Sequence, residues 1–127
     1  MHPLIANLKG KLIVSVQAYP GEPMRHPETM AQIARAAEIG GAAAIRCQGL
    51  SDISAIKGRV DVPVIGLWKE GHEGVYITPS LRHARAGVMA GSDIVALDER
   101  IDELISPYAE AVDKLDEIPG VGRRSAQ

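Results

Sequence analysis

Aromatic residues are scarce in this 127-residue chain, which has no Phe, one Trp and three Tyr. Ala, Val and Ile must supply most of the core, and such small aliphatic side chains suit a parallel sheet flanked by close-packed helices. The single cysteine, Cys47, cannot form an internal disulfide and has no partners at metal-ligand spacing. We therefore expect a reduced, cytoplasmic setting and no bound metal.

A large net charge and long hydrophobic runs are also absent. The net charge is −2, so no overall field favours binding to nucleic acid or to an anionic membrane. The first ten residues lack the apolar core of a signal peptide. No apolar run approaches the length of a membrane span. Neither a membrane nor a nucleic acid is therefore an expected partner.

Short apolar runs alternate with amphipathic stretches over the first 98 residues. Strands are predicted at about 12–17, 43–46, 62–69 and 93–97. Helices are predicted between them, beginning at Pro27, at Ser51 and at Thr78–Pro79, and ending at glycines. The alternation predicts an α/β fold built from right-handed βαβ units with parallel strands.

Burial can be predicted for several side chains of this pattern. In the helix after Pro79, the residues predicted to face the core are Leu81, Ala84, Val88 and Met89. Cys47 is predicted to be a buried, small apolar residue rather than a nucleophile. His72 and His83 are predicted to lie on the surface, because no carboxylate or cysteine stands near them at metal-ligand spacing.

Three of the predicted strands end in a polar residue. Gln17, Arg46 and Lys69 follow the first, second and third apolar runs. Ligands of α/β folds collect at the carboxyl ends of parallel strands. We therefore predict a cationic, hydrogen-bonding pocket at this edge of the sheet, although a lysine after a strand is more often a solvated surface residue.

The motifs that contain these residues resemble the N-acylglucosamine-6-phosphate 2-epimerase family, also known as the N-acetylmannosamine-6-phosphate 2-epimerases. The matching segments are 11–18, 40–49, 63–69, 76–79 and 94–98, within about residues 8–98. The resemblance implies a TIM barrel that interconverts N-acetylmannosamine 6-phosphate and N-acetylglucosamine 6-phosphate in sialic acid catabolism. It also implies a phosphorylated amino-sugar substrate, no metal and no organic cofactor.

The resemblance assigns roles to five positions. Lys69 matches the family's acid/base at the sugar C2 atom, and Gln17 and Arg46 match substrate-contacting residues. Gln48 and Asp98 lie in matching motifs and are further candidates for substrate binding. The guanidinium fork of Arg46 suits an anion or a carbonyl oxygen.

A TIM barrel needs eight βα units and about 250 residues, whereas only four strands are predicted here. The family's partner glutamate and phosphate-binding loops have no matching positions in this chain. We therefore expect a half-barrel over 1–98, inactive or partner-dependent when alone, with a helical extension over 99–127. Self-association through sheet edges or a complementing second half could restore the barrel.

The extension has a resemblance of its own. Residues 114–126 are similar to the first part of a helix-hairpin-helix segment found in transposases and DNA-repair proteins. The glycines of such hairpins let backbone amides approach a DNA phosphate. A nucleic-acid-binding module is thus the alternative function, opposed by the negative flank of Asp113, Asp116 and Glu117.

Overall fold

A computed structural model describes residues 2–71, 74 and 76–97 of the chain. Its four strands are β1 (Ile13–Val16), β2 (Ala44–Gln48), β3 (Val64–Leu67) and β4 (Ile94–Val95). Its helices are α1 (Pro3–Ala6), α2 (Pro27–Ile39), α3 (Leu50–Lys57) and α4 (Leu81–Ala90). The strands form a single sheet in the order β1-β2-β3-β4.

Every neighbouring pair of strands in this sheet is parallel. In a doubly wound sheet the strand order reverses at a switch point, whereas the strands of a barrel follow one another around its axis. The uninterrupted order therefore fits one side of a barrel. The predicted α/β fold with four parallel strands is confirmed. The predicted helical extension lies outside the described residues.

The two faces of the sheet pack against different helices, because successive side chains of a strand point to opposite sides. The face toward α2 and α3 carries the buried strand residues Val16, Ile45, Cys47 and Val64. The other face carries Ala44, Ile65, Leu67 and Ile94, and packs on α1. Odd and even positions along a strand thus face opposite sides of the sheet, and only side chains on the same side can meet.

Helix α1 has no counterpart among the predicted elements. His2 caps it, since its Nδ1 accepts a hydrogen bond from Leu4 N at 3.1 Å, and Pro3 follows as the first helical residue. Ile5 and Leu8 are 3% and 2% exposed and complete the apolar cluster on the second face of the sheet. This segment therefore covers the amino-terminal side of that face.

Two predicted helix starts are wrong. Helix α3 begins at Leu50, so Ser51 lies inside its first turn rather than at its cap. The N-cap is Gly49, whose φ of 94° lets the chain turn from β2 directly into the helix. Helix α4 begins at Leu81 rather than at Pro79, because the Ser80 side chain accepts from His83 N and caps it.

The predicted inward face of α4 is also wrong in part. Val88 and Met89 are 44% and 88% exposed, and the buried residues are His83, Ala84 and Gly87. His83, predicted to lie on the surface, is only 4% exposed. Its burial is tolerated because both ring nitrogens have hydrogen-bond partners.

The fourth strand is shorter than the predicted 93–97. It pairs with β3 only through Ile65–Ile94 and Gly66–Val95. Ala96 and Leu97 are still buried. Residues 94–97 are thus all buried, but only Ile94 and Val95 pair with β3.

Gly66 lets β3 lie close to the segment before β4. A Cβ atom at this position would lie 1.9 Å from Ser92 Oγ and 2.8 Å from Ile53 Cδ1. Within the described part of the chain, Ser92 Oγ is buried and has no hydrogen-bond partner. The hydroxyl therefore fills the space that a larger residue at 66 would need.

Replacing Gly66 by Ala is expected to lower the free energy of unfolding by about 1–3 kcal/mol, because the new methyl group overpacks this space. Urea denaturation measures the change. Gly58→Ala is the matched control, since its Cβ would meet only carbonyl oxygens at 3.6 and 3.7 Å. Ser92→Ala alone should be neutral or stabilising. Combined with Gly66→Ala, it should recover part of the lost free energy of unfolding. Unchanged stability in Gly66→Ala would contradict this packing.

Candidate functional site

The polar residues at the strand ends lie on the face of the sheet that α1 covers. In the parallel register Ser15 is opposite Arg46, and Arg46 is opposite Ile65, a member of that face. Alternation along the strands places Gln17 and Gln48 on the same side. The hydrogen bond from Lys69 Nζ to Gln17 Oε1 places the lysine side chain there too. Gln17, Gln48 and Lys69 therefore meet at this edge. Arg46 shares their face but is the middle residue of β2, which runs on to Gln48, so the prediction that it ends the second strand and joins the pocket at the edge is wrong.

Lys69 is the point where these residues make contact. Its Nζ donates a hydrogen bond to Gln17 Oε1 at 3.2 Å, across the end of β1. Its backbone N–H donates to Gln48 Oε1 at 3.1 Å, across the end of β2. Gln17 Nε2 in turn donates to Ser15 Oγ at 3.1 Å. The amine is thus held over the carboxyl ends of three strands.

A cleft of about 330 Å³ opens beside the lysine. Its lining residues are Gln17, Ala18, Tyr19, Pro20, Gln48, Lys69, Gly71 and Tyr76. The Nζ atom of Lys69 lies 5.1 Å from the centre of the Tyr19 ring, a distance at which a cation is attracted to the ring face. Ionic, amide and aromatic groups together suit a small polar ligand such as a sugar.

Arg46 lies deeper than the cleft. The residue is 9% exposed and is absent from the cleft lining. Burial lowers the pKa of its guanidinium. No carboxylate of the described residues pairs with it. Asp98, the remaining candidate, lies outside the described residues.

Cys47 occupies the opposite face of β2. It is fully buried among the side chains of the helix-facing cluster, as predicted for a small apolar residue. Burial, reinforced by the Asp52 carboxylate, raises the pKa of its thiol to about 12. The side chain is neutral at physiological pH and cannot act as a thiolate nucleophile.

An ion pair holds the loop between β1 and α2, which carries Tyr19 and Pro20. Arg25 Nη1 donates to both carboxylate oxygens of Asp52, at 3.0 and 3.1 Å. Asp52 lies in the first turn of α3 and its side chain is 2% exposed, against 26% for Arg25. This pair ties one wall of the cleft to a neighbouring βα unit.

A second part of the site consists of residues 68–71 and 76–78, which lie between β3 and α4. Lys69 pairs with Ile77 in an antiparallel bridge. Thr78 N donates to Trp68 O at 2.8 Å, and Thr78 Oγ1 donates to Ala96 O at 2.7 Å. Thr78 has a φ of 47°, a left-handed conformation that is costly for a β-branched residue. Its hydrogen bonds hold this strained turn beside the lysine.

Three residues of the site were not predicted from the sequence. Tyr19 and Tyr76 line the cleft, and Thr78 fixes the segment that carries Lys69. A signal existed for Tyr19, because loops that follow parallel strands carry ligand-binding residues. No local pattern distinguishes Thr78 from an ordinary helix cap.

The structure also bears on metal ligation and membrane insertion for residues 2–71, 74 and 76–97. No group of three or more His, Cys, Asp or Glu side chains is placed to hold a metal ion within these residues. None of their helices is long and apolar enough to cross a bilayer.

Comparison with known proteins connects this geometry to a family. A sequence model for the family described as "Putative N-acetylmannosamine-6-phosphate epimerase" matches residues 30–118. The chain belongs to this epimerase family. The matched range passes the predicted boundary at residue 98 and includes most of the segment set apart as an extension. The division of the chain at that boundary stays a prediction.

Two relatives of the epimerase family illustrate the similarity, and each is described as a "Putative N-acetylmannosamine-6-phosphate 2-epimerase". The protein from Cutibacterium acnes is 63% identical over 116 residues, which are 88% of this chain and 50% of the relative. The protein from Caldanaerobacter subterraneus is 53% identical over 97 residues, covering 75% and 41% of the two chains.

A solved structure gives the same result. The N-acetylmannosamine-6-phosphate 2-epimerase from Clostridium perfringens superposes with a TM-score of 0.76 at 33% identity, covering 87% of this chain and 53% of that one. The chain thus spans about half the length of the epimerases it matches.

Because the buried Cys47 thiol is neutral, we expect it to react slowly in the folded protein. We also expect the protein to lose stability at alkaline pH. Iodoacetamide at pH 8 should modify Cys47 in denaturant and leave it unmodified in the folded protein. Since the pKa is raised on folding from 9.0 to about 12, the stabilising effect is complete below pH 9 and is lost as the pH rises toward 12. At pH 10.5 the loss is about 2 kcal/mol.

The control for this prediction is Cys47→Ala, which has no thiol to ionise. Its free energy of unfolding should fall less steeply between pH 9 and 10.5 than that of the unsubstituted protein. Equal alkaline slopes would contradict the assignment, as would rapid alkylation of the folded protein.

We expect the Arg25–Asp52 pair, which holds one wall of the cleft, to contribute to the free energy of unfolding. Arg25→Ala leaves a buried carboxylate without its charged partner and is expected to cost about 1–3 kcal/mol. Arg59→Ala is the control, since Arg59 pairs with Glu28 at the exposed surface and should cost less than about 1 kcal/mol. Urea denaturation measures both, and equal costs would rule out a special role for Arg25.

Proposed function

We propose that this chain carries the proton-transfer half of an N-acetylmannosamine-6-phosphate 2-epimerase. The observation that supports this most is the position of Lys69, whose amine stands in the cleft between Gln17 and the Tyr19 ring. The substrates of the proposed reaction are N-acetylmannosamine 6-phosphate and N-acetylglucosamine 6-phosphate, which differ in configuration at C2.

Inversion at C2 needs a proton to leave one face of the carbon and a proton to arrive on the other. In the open-chain sugar, C2 is adjacent to the C1 aldehyde, so the electron pair of the broken C–H bond moves into an enolate. The proton goes to a base, for which the side-chain amine of Lys69 is the candidate. Protonation from the opposite face completes the inversion with no net oxidation or reduction, so this chemistry requires no redox cofactor.

The neighbouring side chains have distinct proposed roles. Arg46 offers a buried cation with no carboxylate partner among the described residues, which suits an oxygen carrying negative charge in the enolate. Gln17 contacts the lysine amine and can also orient a substrate hydroxyl or acetamido group. Gln48 accepts from the Lys69 backbone and faces the cleft, so it combines support of the lysine with substrate contact. Asp98 is retained as a substrate-binding candidate.

Activity is proposed to require a complementing half-barrel. The chain spans about half of its relatives, and an eight-stranded barrel needs four more βα units than the four strands described. The family's partner glutamate and phosphate-binding loops are expected in that other half. A second copy of this chain would close a barrel but would supply neither, so the complementing segment is proposed to differ from it.

Complementation tests the proposal directly. The purified chain is mixed with the carboxyl-terminal half of the Cutibacterium acnes relative, and conversion of N-acetylmannosamine 6-phosphate is followed by proton NMR in D2O. We expect turnover and deuterium incorporation at C2 in the mixture, and neither with the chain alone. Light scattering reports whether the chain alone dimerises.

Two lysine variants sharpen this test. Lys69→Ala should lower kcat of the mixture by about 10²–10⁴-fold, the usual contribution of a general acid–base residue. Lys9→Ala, at an exposed position before β1, should leave kcat unchanged. Full activity in Lys69→Ala would refute the role of the lysine. Equal turnover with and without the added half would refute the need for complementation.

The nucleic-acid-binding alternative depends on residues 114–126, which lie outside the described residues, and no observation on the described part favours it. The cytoplasmic setting likewise stays a prediction from the single cysteine.

A further inference from the structure

A buried histidine contacts both sequence neighbours of Lys69. His83, in the first turn of α4, makes a hydrogen bond between its Nε2 and the Glu70 carboxylate. Its ring lies 4.4 Å from the ring of Trp68, centre to centre, with a tilt of 52°. One imidazole thus contacts residues 68 and 70, on either side of the lysine.

The other ring nitrogen fixes the imidazole itself. His83 Nδ1 lies 2.6 Å from Ser80 Oγ, the hydroxyl that also caps α4. With both nitrogens engaged and 4% of the residue exposed, the ring cannot rotate without breaking a partly buried hydrogen bond. The imidazole is therefore a rigid support attached to a helix rather than to a loop.

Strand geometry explains how this support acts on the lysine. Residues 68–70 pair with residues 76–78, since Glu70 N donates to Tyr76 O at 2.9 Å and Thr78 N donates to Trp68 O at 2.8 Å. In an extended segment, residues 68 and 70 point to one side and residue 69 points to the other. His83 thus contacts the reverse side of the segment while the Lys69 amine enters the cleft.

We propose that His83 is a positioning residue: through Trp68 and Glu70 it fixes the backbone from which Lys69 reaches the substrate carbon. The catalytic part of this inference rests on the proposed epimerase function. Misplacement of a reacting group by about 1 Å can cost about 10²-fold in rate. Loss of the imidazole is therefore expected to lower kcat without removing any group that touches the substrate.

The first experiment uses the chain alone and requires no activity. Amide hydrogen exchange by mass spectrometry should be at least about tenfold faster over residues 68–78 in His83→Ala than in the unsubstituted protein, with peptides of α2 and β2 unchanged. Arg85→Ala, at an exposed position of the same helix, is the control. Unchanged exchange over 68–78 in His83→Ala would overturn the inference.

The second experiment measures kinetics in the complemented enzyme. His83→Ala should lower kcat by about tenfold to a hundredfold with KM changed less than about threefold, and Arg85→Ala should match the unsubstituted protein. His83→Gln, which retains a donor for Glu70 but not the ring against Trp68, should fall between them. An unchanged kcat, or a rise in KM alone, would overturn the inference.

The two experiments separate failure of this inference from failure of the proposed function. An inactive unsubstituted complex would count against the epimerase proposal, and hydrogen exchange would still decide whether His83 fixes residues 68–78. If His83→Ala does not fold, His83→Gln replaces it in the exchange experiment, and protection equal to that of the unsubstituted protein over 68–78 would then overturn the inference.

Discussion

Parallel pairing of β1, β2 and β3 is the constraint on which the rest of the site depends. Once Ser15 is opposite Arg46 and Arg46 is opposite Ile65, side-chain alternation places the polar residues at the strand ends on one face. A slip of one residue in β2 would turn Arg46 toward the helices and Cys47 toward the cleft. The buried Cys47 and its neighbours in the helix-facing cluster make that slip costly.

Lys69 stands beyond the last paired residue of β3, where register alone does not fix its direction. The segment from Trp68 to Thr78 supplies that control with its own antiparallel bridge and with a Thr78 hydroxyl bonded to Ala96 O. Strain at Thr78, whose φ is 47°, is of the kind that persists where surrounding contacts over-determine the backbone. The sheet, the Lys69–Ile77 bridge and helix α4 thus together position the amine of Lys69.

The proposed reaction needs residues that this chain carries and residues that are expected in another half of the barrel. The matched half carries the lysine and the polar residues around it, and the chain spans about half of the relatives. Barrel enzymes draw catalytic residues from the ends of several strands. Separating a barrel into halves therefore separates the chemistry as well as the fold, which is why a complete reaction is proposed only together with a second half.

Local patterns were enough to predict the alternation of strands and helices, the polar residues Gln17 and Lys69 beyond β1 and β3, and the epimerase family, because these depend on residues close together in the chain. The place of Arg46 in the middle of β2 was not predicted. Burial of His83, the left-handed Thr78 and the Tyr19 wall of the cleft were decided only by the folded structure. Each depends on a partner that the local pattern does not reveal. A histidine is tolerated in a core only when specific groups satisfy both nitrogens, and its neighbours in sequence do not disclose those groups.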